Sequence, residues 1–440
     1  MTDSEGFIAL RASWTALWSR LDRPHVFSSF DWCWSAWSLV ARPRGCRLRL
    51  LCGRLDGRLV LIWPMMEDGN VLRMLSSETL EYRDVLVESS AHATRWVEDA
   101  WTHVTAATCA TTYLFQNLRL PSVLRTRLAE VPRARQFAGG WCPLVSLERF
   151  PDWDAYAKTL PKSLMSDQRR QWKRLRAAHP GVAFRVVDAA ESIEPVMDWI
   201  CRHKIAWSQS RGTRVWFNAA DIFAMLKAVA RAALPDGRLV LATLSDGDAT
   251  MSAGWGYACG SEFLFHAFAY DEAYATYSPS RLFQEGLLRH CFDRGFRTFD
   301  FMPGQEAYKR IWATDYVRQE SYLGTFNWRG ALLLQLSATK ASDAPPALHR
   351  AYRALPRPWR NVLYRGLRSY RLVNRALNLK PIPKPDAAPC STAALLDVVR
   401  EERRIASKPT IVSGERAGSR ETASIDATRT PSGESLSASS

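Results

Sequence analysis

Three runs with the period-two alternation of strands, 238–245, 249–258 and 261–269, are separated only by Asp246-Gly247 and by Gly260, which mark tight turns. They predict an antiparallel meander. The third run ends in the aromatic stretch FHAFAY and passes through a polar turn into Ser278-Pro279-Ser280-Arg281, after which residues 279–294 follow helical spacing. A meander that hands its chain straight to a helix needs that helix to cover the sheet, which commits the chain to an α+β layered fold.

The junction also carries chemistry. Ser278 is placed to cap the helix through its hydroxyl, and Pro279 fits the first helical position, where a missing N–H costs nothing. The N–H groups of Ser280, Arg281 and Leu282 are then expected to be free at the positive end of the helix dipole. With the Arg281 charge they would suit an anion such as a phosphate. The plainer alternative is a capped helix that docks on the sheet through Leu282, Phe283, Leu287, Leu288 and Cys291.

The rest of the chain arranges similar elements twice. Residues 1–150 read as helices at 8–21 and 29–40, a hairpin turning at Asp56-Gly57, strands at 70–75 and 83–87, a helix at 90–107 and a strand at 111–117. Residues 151–335 repeat that order: a basic helix at 163–179, a strand at 182–187, helices at 191–209 and 218–233, the meander, the helix at 279–294, the strand RTFDFM, a short helix at 304–312 and a final strand SYLGTFNW. Two tandem α+β domains are predicted.

Composition narrows the function classes. With 440 residues and 47% hydrophobic content the chain has enough apolar surface for two cores, yet no apolar run approaches the ~18–20 residues that cross a bilayer. The N-terminus has no basic segment followed by an apolar one, so a cytoplasmic location is expected. Nine scattered cysteines without a C-x-x-C pair signal neither a disulfide framework nor a metal site. The net charge of +15 is concentrated: residues 331–380 hold ten Lys and Arg against one Asp, a net of +9. Within 336–380, Trp359, Val362, Leu363, Leu367, Tyr370 and Leu372 recur at helical spacing among arginines, which predicts a basic amphipathic helix. A helix packed on the domain with its arginines solvated has this pattern too, and among functional partners anionic membrane fits it best. Nucleic acid fits less well, because the arginines are spread rather than clustered with stacking aromatics. Residues 381–440, rich in Ser, Ala, Thr and Pro, are too poor in apolar surface to order themselves.

The segments LPKSLMSDQRRQWKRLR, AGWGYACGSEFLFHAFAYDEAYATYSPSRLFQEGLL and RGFRTFDFMPGQEAYKRIW, with fainter echoes in GRLVLIWPMM and LEYRDVLV, resemble the tandem GNAT acyltransferases of the CelD-like, cellulose-biosynthesis-associated family, distant relatives of the Fem peptidyltransferases. The resemblance spans about residues 30–330. It implies acetyl-CoA or another acyl-CoA as co-substrate and no metal. Backbone around Phe265, Ala267 and Phe268, together with Ser278, Ser280, Arg281 and Leu282, would hold the cofactor, and Tyr308 would return a proton to the leaving thiolate. One position departs from the pattern: Ser280 stands where such families carry a glycine beside the pyrophosphate.

His266 and Asp271 are the candidate bases near the implied cleft, with Asp300 close by, and Glu306, Lys309, Trp207 and Trp216 are candidates for holding the acceptor. A tryptophan pair suits a sugar. The resulting expectation is transfer of an acyl group to an amine or hydroxyl of a saccharide or small polar acceptor, in exopolysaccharide or envelope synthesis at the inner membrane face. Two alternatives stand beside it: an aminoacyl-tRNA-dependent Fem-like transferase, and a non-catalytic GNAT scaffold at the membrane surface, for which Ser280 is the main hint.

Overall fold

Alternating apolar residues give the strands two buried faces, and both faces are covered by helices. The computed structural model describes residues 1–76, 79, 81–210, 219–304, 306–338, 368–370, 372–374 and 376. Strands β1 (Arg47–Leu55), β2 (Arg58–Asp68), β3 (Val71–Met74), β4 (Leu86–Val87), β5 (Thr112–Arg119) and β6 (Arg135–Ser146) precede β7 (Ala183–Val187), β8 (Leu239–Asp246), β9 (Ala249–Cys259), β10 (Glu262–Tyr270), β11 (Thr298–Asp300) and β12 (Asp315–Thr325). Helices α1 (Ser4–Ala9), α2 (Arg11–Trp18), α3 (Phe30–Ser35), α4 (Ala93–Ala107), α5 (Val123–Glu130) and α6 (Trp153–Ala157) are followed by α7 (Lys162–Ala178), α8 (Ile193–Ser210), α9 (Ala220–Ala233), α10 (Pro279–Asp293), α11 (Ala307–Trp312) and α12 (Trp328–Ala338). The mixed α+β fold agrees with the sequence reading.

The strands join in one sheet, in the order β1-β2-β3-β5-β12-β6-β11-β10-β9-β8-β7, with β4 paired to β2. The sheet therefore runs unbroken across residue 150. β12 lies between β5 and β6, antiparallel to both. It starts at Asp315, well before the run expected at 321, and β6 occupies a stretch with no strand signal at all.

Along β8 to β10 the alternation sorts side chains cleanly. Leu241, Ala253, Trp255 and Leu264 pack under α8 and α9, whereas Ala242, Met251, Phe263 and Phe265 pack under α7 and α10. Each fully buried side chain of this size contributes about 1.5–3 kcal/mol. Two parallel pairs interrupt the antiparallel order: β3 with β5 across α4, and β10 with β11 across α10.

Most of the basic 336–380 segment and all of 381–440 lie outside the described residues. The residues that are described, 368–370, 372–374 and 376, belong only to the end of the expected amphipathic helix. Arg368 is ion-paired with the buried Asp68 and donates to the Arg44 carbonyl, and Ser369 Oγ accepts from the Asn70 N–H at 2.9 Å. Val373 and Ala376 are buried against Val71, Leu114 and Leu323. This stretch is docked on the protein, and Arg368 is spoken for. No helix among the described residues is long and apolar enough to cross a membrane.

Candidate active site

A mouth opens in the sheet because two neighbouring strands differ in length. β10 and β11 share only three pairs, Glu262↔Thr298 to Leu264↔Asp300, after which β11 stops and β10 continues to Tyr270. β11 stops for local reasons: Met302 adopts φ 62°, its N–H turns back to Asp300 Oδ1 at 2.7 Å, and Pro303 has no N–H to offer. No strand among the described residues pairs with 265–270 on that side. Opposite, the register with β9 slips between Phe265 and Ala267, so His266 is the extra residue of a bulge. Phe265 and Phe268 consequently share the α10 face. Gly254 makes this possible, since a Cβ there would come within 2.6 Å of the Phe268 Cβ.

The mouth has an aromatic and charged wall. Tyr308 of α11 meets Phe268 edge-on with centroids 5.2 Å apart, and Phe301 stands 6.5 Å behind it. From α8, Lys204 places its ammonium 5.4 Å from the Phe268 ring and 5.0 Å from the Trp207 ring. Lys309 is buried and donates to the carbonyls of Met302 (3.3 Å) and Pro303 (2.9 Å), with Glu306 Oε2 at 3.1 Å. Gly304 takes φ 150°, a backbone conformation that side chains rarely adopt, and a Cβ there would also press on the ends of Glu306 and Lys309. Burial, and then the Glu306 charge, pushes the Tyr308 hydroxyl well above its ordinary pKa. Burial works against the Glu306 carboxylate, but Lys309 outweighs it and holds its pKa low.

The start of α10 differs from the expectation in three respects. Ser278 sits in the left-handed region at φ 54°, and its hydroxyl accepts from Arg281 at 3.0 Å instead of capping the helix. The N–H groups of Arg281 and Leu282 both reach the Ser278 carbonyl, at 3.1 and 3.3 Å, so of the three N–H groups only that of Ser280 lacks a backbone acceptor among the described residues. Arg281 is 2% exposed and ion-paired with Asp167 of α7 at 2.6 Å. Its charge is compensated inside the protein, and what remains for an anion is the helix dipole and Ser280. Leu282 is fully buried in the core, as the plainer reading had it.

Residues 162–310, about a third of the chain, match the family described as acetyltransferase (GNAT) domain. The chain carries a GNAT-type acetyltransferase domain. That domain class is one of acyl-CoA-dependent acyltransferases. Among solved structures the chain is similar to FemX (12% identity, 74% of this chain and 98% of that one, TM-score 0.49). It is similar also to the C-terminal domain of a putative lysylphosphatidylglycerol synthetase from Agrobacterium fabrum (14%, 76% and 96%, TM-score 0.49). A tandem GNAT protein from the clavulanic acid biosynthesis pathway is a third (12%, 74% and 98%, TM-score 0.39). These values are too low to carry anything beyond the likeness itself. A comparison with curated proteins gives no match.

Within this GNAT domain the expected residues divide into two groups. Trp207, Phe268, Glu306, Tyr308 and Lys309 converge at the mouth, although Lys309 serves the 302–303 carbonyls and does not stand free for an anionic acceptor. His266 and Asp271 do not converge there. His266 is turned to the opposite face, 2.8 Å from Glu81 Oε1 and ringed by Phe27, Trp32, Trp255 and Tyr257. Asp271 accepts from the Ala273 N–H at 2.9 Å and forms the turn after β10. Asp300 is buried and held by Tyr82, by Arg119 at 3.1 Å and by the Met302 N–H; burial raises its pKa against the pull of Arg119. Trp216 lies outside the described residues. Lys204 escaped the sequence reading. Its one signal was the i, i+3 spacing to Trp207 on a helix.

Proposed function

We propose that the mouth between β10 and β11 receives an acyl-CoA and that the acceptor enters along the wall of Trp207, Lys204 and Tyr308. The observation carrying this is the bare edge of residues 265–270 opposite the end of β11. Exposed strand N–H and C=O groups match the spaced amides of a pantetheine arm, and the start of α10 with Ser280 suits its diphosphate. A bound thioester supplies an electrophilic carbonyl. The strand N–H groups polarise it, and Tyr308 holds a proton for the departing thiolate, which its raised pKa keeps in place until needed.

The acceptor is an amine or hydroxyl of a saccharide or small polar molecule. Trp207 offers a face on which a sugar ring can stack, and Lys204 and Glu306 offer charges to orient it. On this reading the protein belongs with the CelD-like enzymes of exopolysaccharide or envelope synthesis and works at the cytoplasmic face of the membrane. Mass spectrometry of ligand retained by the purified full chain tests it. Retained CoA is the expected result; retained tRNA would favour a Fem-like reaction, and a protein that neither retains nor binds added acetyl-CoA would be a scaffold.

A further inference from the structure

A cavity of about 540 Å³ opens between the α2–α3 connection, the 84–89 segment and the junction of β5 with α5, and none of its lining residues belongs to the β10/β11 mouth. Its volume lies in the range of small-ligand sites. The wall sets apolar Leu21, Leu120 and Val123 against Asp84, His25 and Ser122.

Asp84 is the unusual member. Its Oδ1 accepts from the Val85 N–H at 2.8 Å, and it takes a hydrogen bond from Ser122. Ser122 can donate because its oxygen is already the acceptor that caps α5, bonded to the Arg125 N–H at 3.0 Å. A carboxylate has acceptor capacity beyond two such bonds. Yet no ion pair reaches Asp84 among the described residues, and burial pushes its pKa up to about 7. The charged groups around it do not supply one. Arg119 is turned to Glu262 (2.6 Å) and Asp300 (3.1 Å), Arg23 is exposed, and Asp22 accepts from Ser89. Across the cavity, His25 is held neutral, its pKa lowered to about 3 by burial and then by Arg119 and Arg83. Its Nδ1 is buried and presents no surface to the cavity.

A half-buried carboxylate with no counter-ion among the described residues costs stability, and a ligand that pairs with it offsets that cost. We propose that this cavity binds a small organic ammonium compound, with its ammonium on Asp84. The apolar wall covers the carbon skeleton. The site is separate from acyl transfer, so its test needs no acyl-CoA and does not depend on the reading of the mouth.

Glucosamine and glucose share ring and hydroxyls and differ at one position, ammonium against hydroxyl. Isothermal titration of the full chain is expected to show one glucosamine per chain, with glucose at least about tenfold weaker. Asp84→Asn is expected to cut glucosamine affinity by about 10- to 100-fold, the scale of a charged hydrogen bond. Val123→Trp, which fills the cavity and leaves the carboxylate in place, should do the same. Equal binding of the two sugars, no binding of glucosamine, or glucosamine binding that survives both substitutions would each overturn the proposal.

Discussion

The crossover β3–α4–β5 and the crossover β10–α10–β11 are built alike, each from a three-residue parallel pairing spanned by one helix, yet only the second leaves a mouth. In the first, the chain departs from the sheet after Met74 and then returns. The Arg83 N–H donates to the Asn117 carbonyl at 3.1 Å, while its guanidinium binds the carbonyls of Ser76, Thr79 and Glu81. The edge that β3 gives up on β5 is therefore filled by 81–83. In the second, β10 outruns β11 and no strand among the described residues pairs with the part left over. Topology alone does not open a mouth; an unpaired strand edge does. The plug also reaches across the molecule, because Tyr82 holds Asp300 and Glu81 holds His266, so the closed crossover braces the open one.

The largest effect should come from pulling the plug. Arg83→Met strands three buried carbonyls and the Glu81 carboxylate, and is expected to lower unfolding stability by about 3–5 kcal/mol in urea titrations. A loss below about 1 kcal/mol would mean that Arg83 does not hold the first crossover shut. At the open crossover, Ser280→Glu sets a carboxylate where the diphosphate is expected, and CoA affinity should fall by about 10³-fold, the scale of like-charge juxtaposition. Unchanged titration would move the cofactor elsewhere. Tyr308→Phe should leave CoA affinity nearly intact while kcat drops by about 10²-fold. An unchanged kcat would reduce Tyr308 to a packing partner of Phe268.

A smaller effect belongs to the first half. Asp84 carries a folded-state pKa of about 7, above that of an unfolded aspartate, so between roughly pH 4 and 7 the native state holds a proton that the unfolded chain has lost. Stability contributed by that proton is present at low pH and declines as pH rises through this window. Asp84→Asn should flatten that part of the stability–pH curve, and thermal melts across the window read it directly. A curve unaltered by the substitution would show that Asp84 is solvated in the native state.

What the sequence disclosed was whatever is decided locally. The Asp56-Gly57 turn takes positive φ at both residues, the meander pairs where its turns predicted, and α10 begins at Pro279. Whatever depends on distant partners stayed hidden. β6 contains Gly139, Gly140 and Pro143 and has no alternation to read, because its neighbours lie some 150 residues onward. Arg281 reads as an anion ligand until Asp167 is found beside it, and His266 as a base until the bulge turns it towards Glu81. In the same way Lys204 reaches Phe268 from a helix more than sixty positions earlier.

The place of β12 bears on how the molecule is made. Both neighbours of β6, and one neighbour of β5, come from residues 298–325. At about 5–20 residues per second of translation, the emerging N-terminal half waits roughly 10–30 s with an unmatched ladder of N–H and C=O groups before its partners leave the ribosome. Expression cut short before 315, or a gene split near 150, would yield a half-finished sheet prone to pair with another chain. The two halves are thus born in sequence but can mature only together.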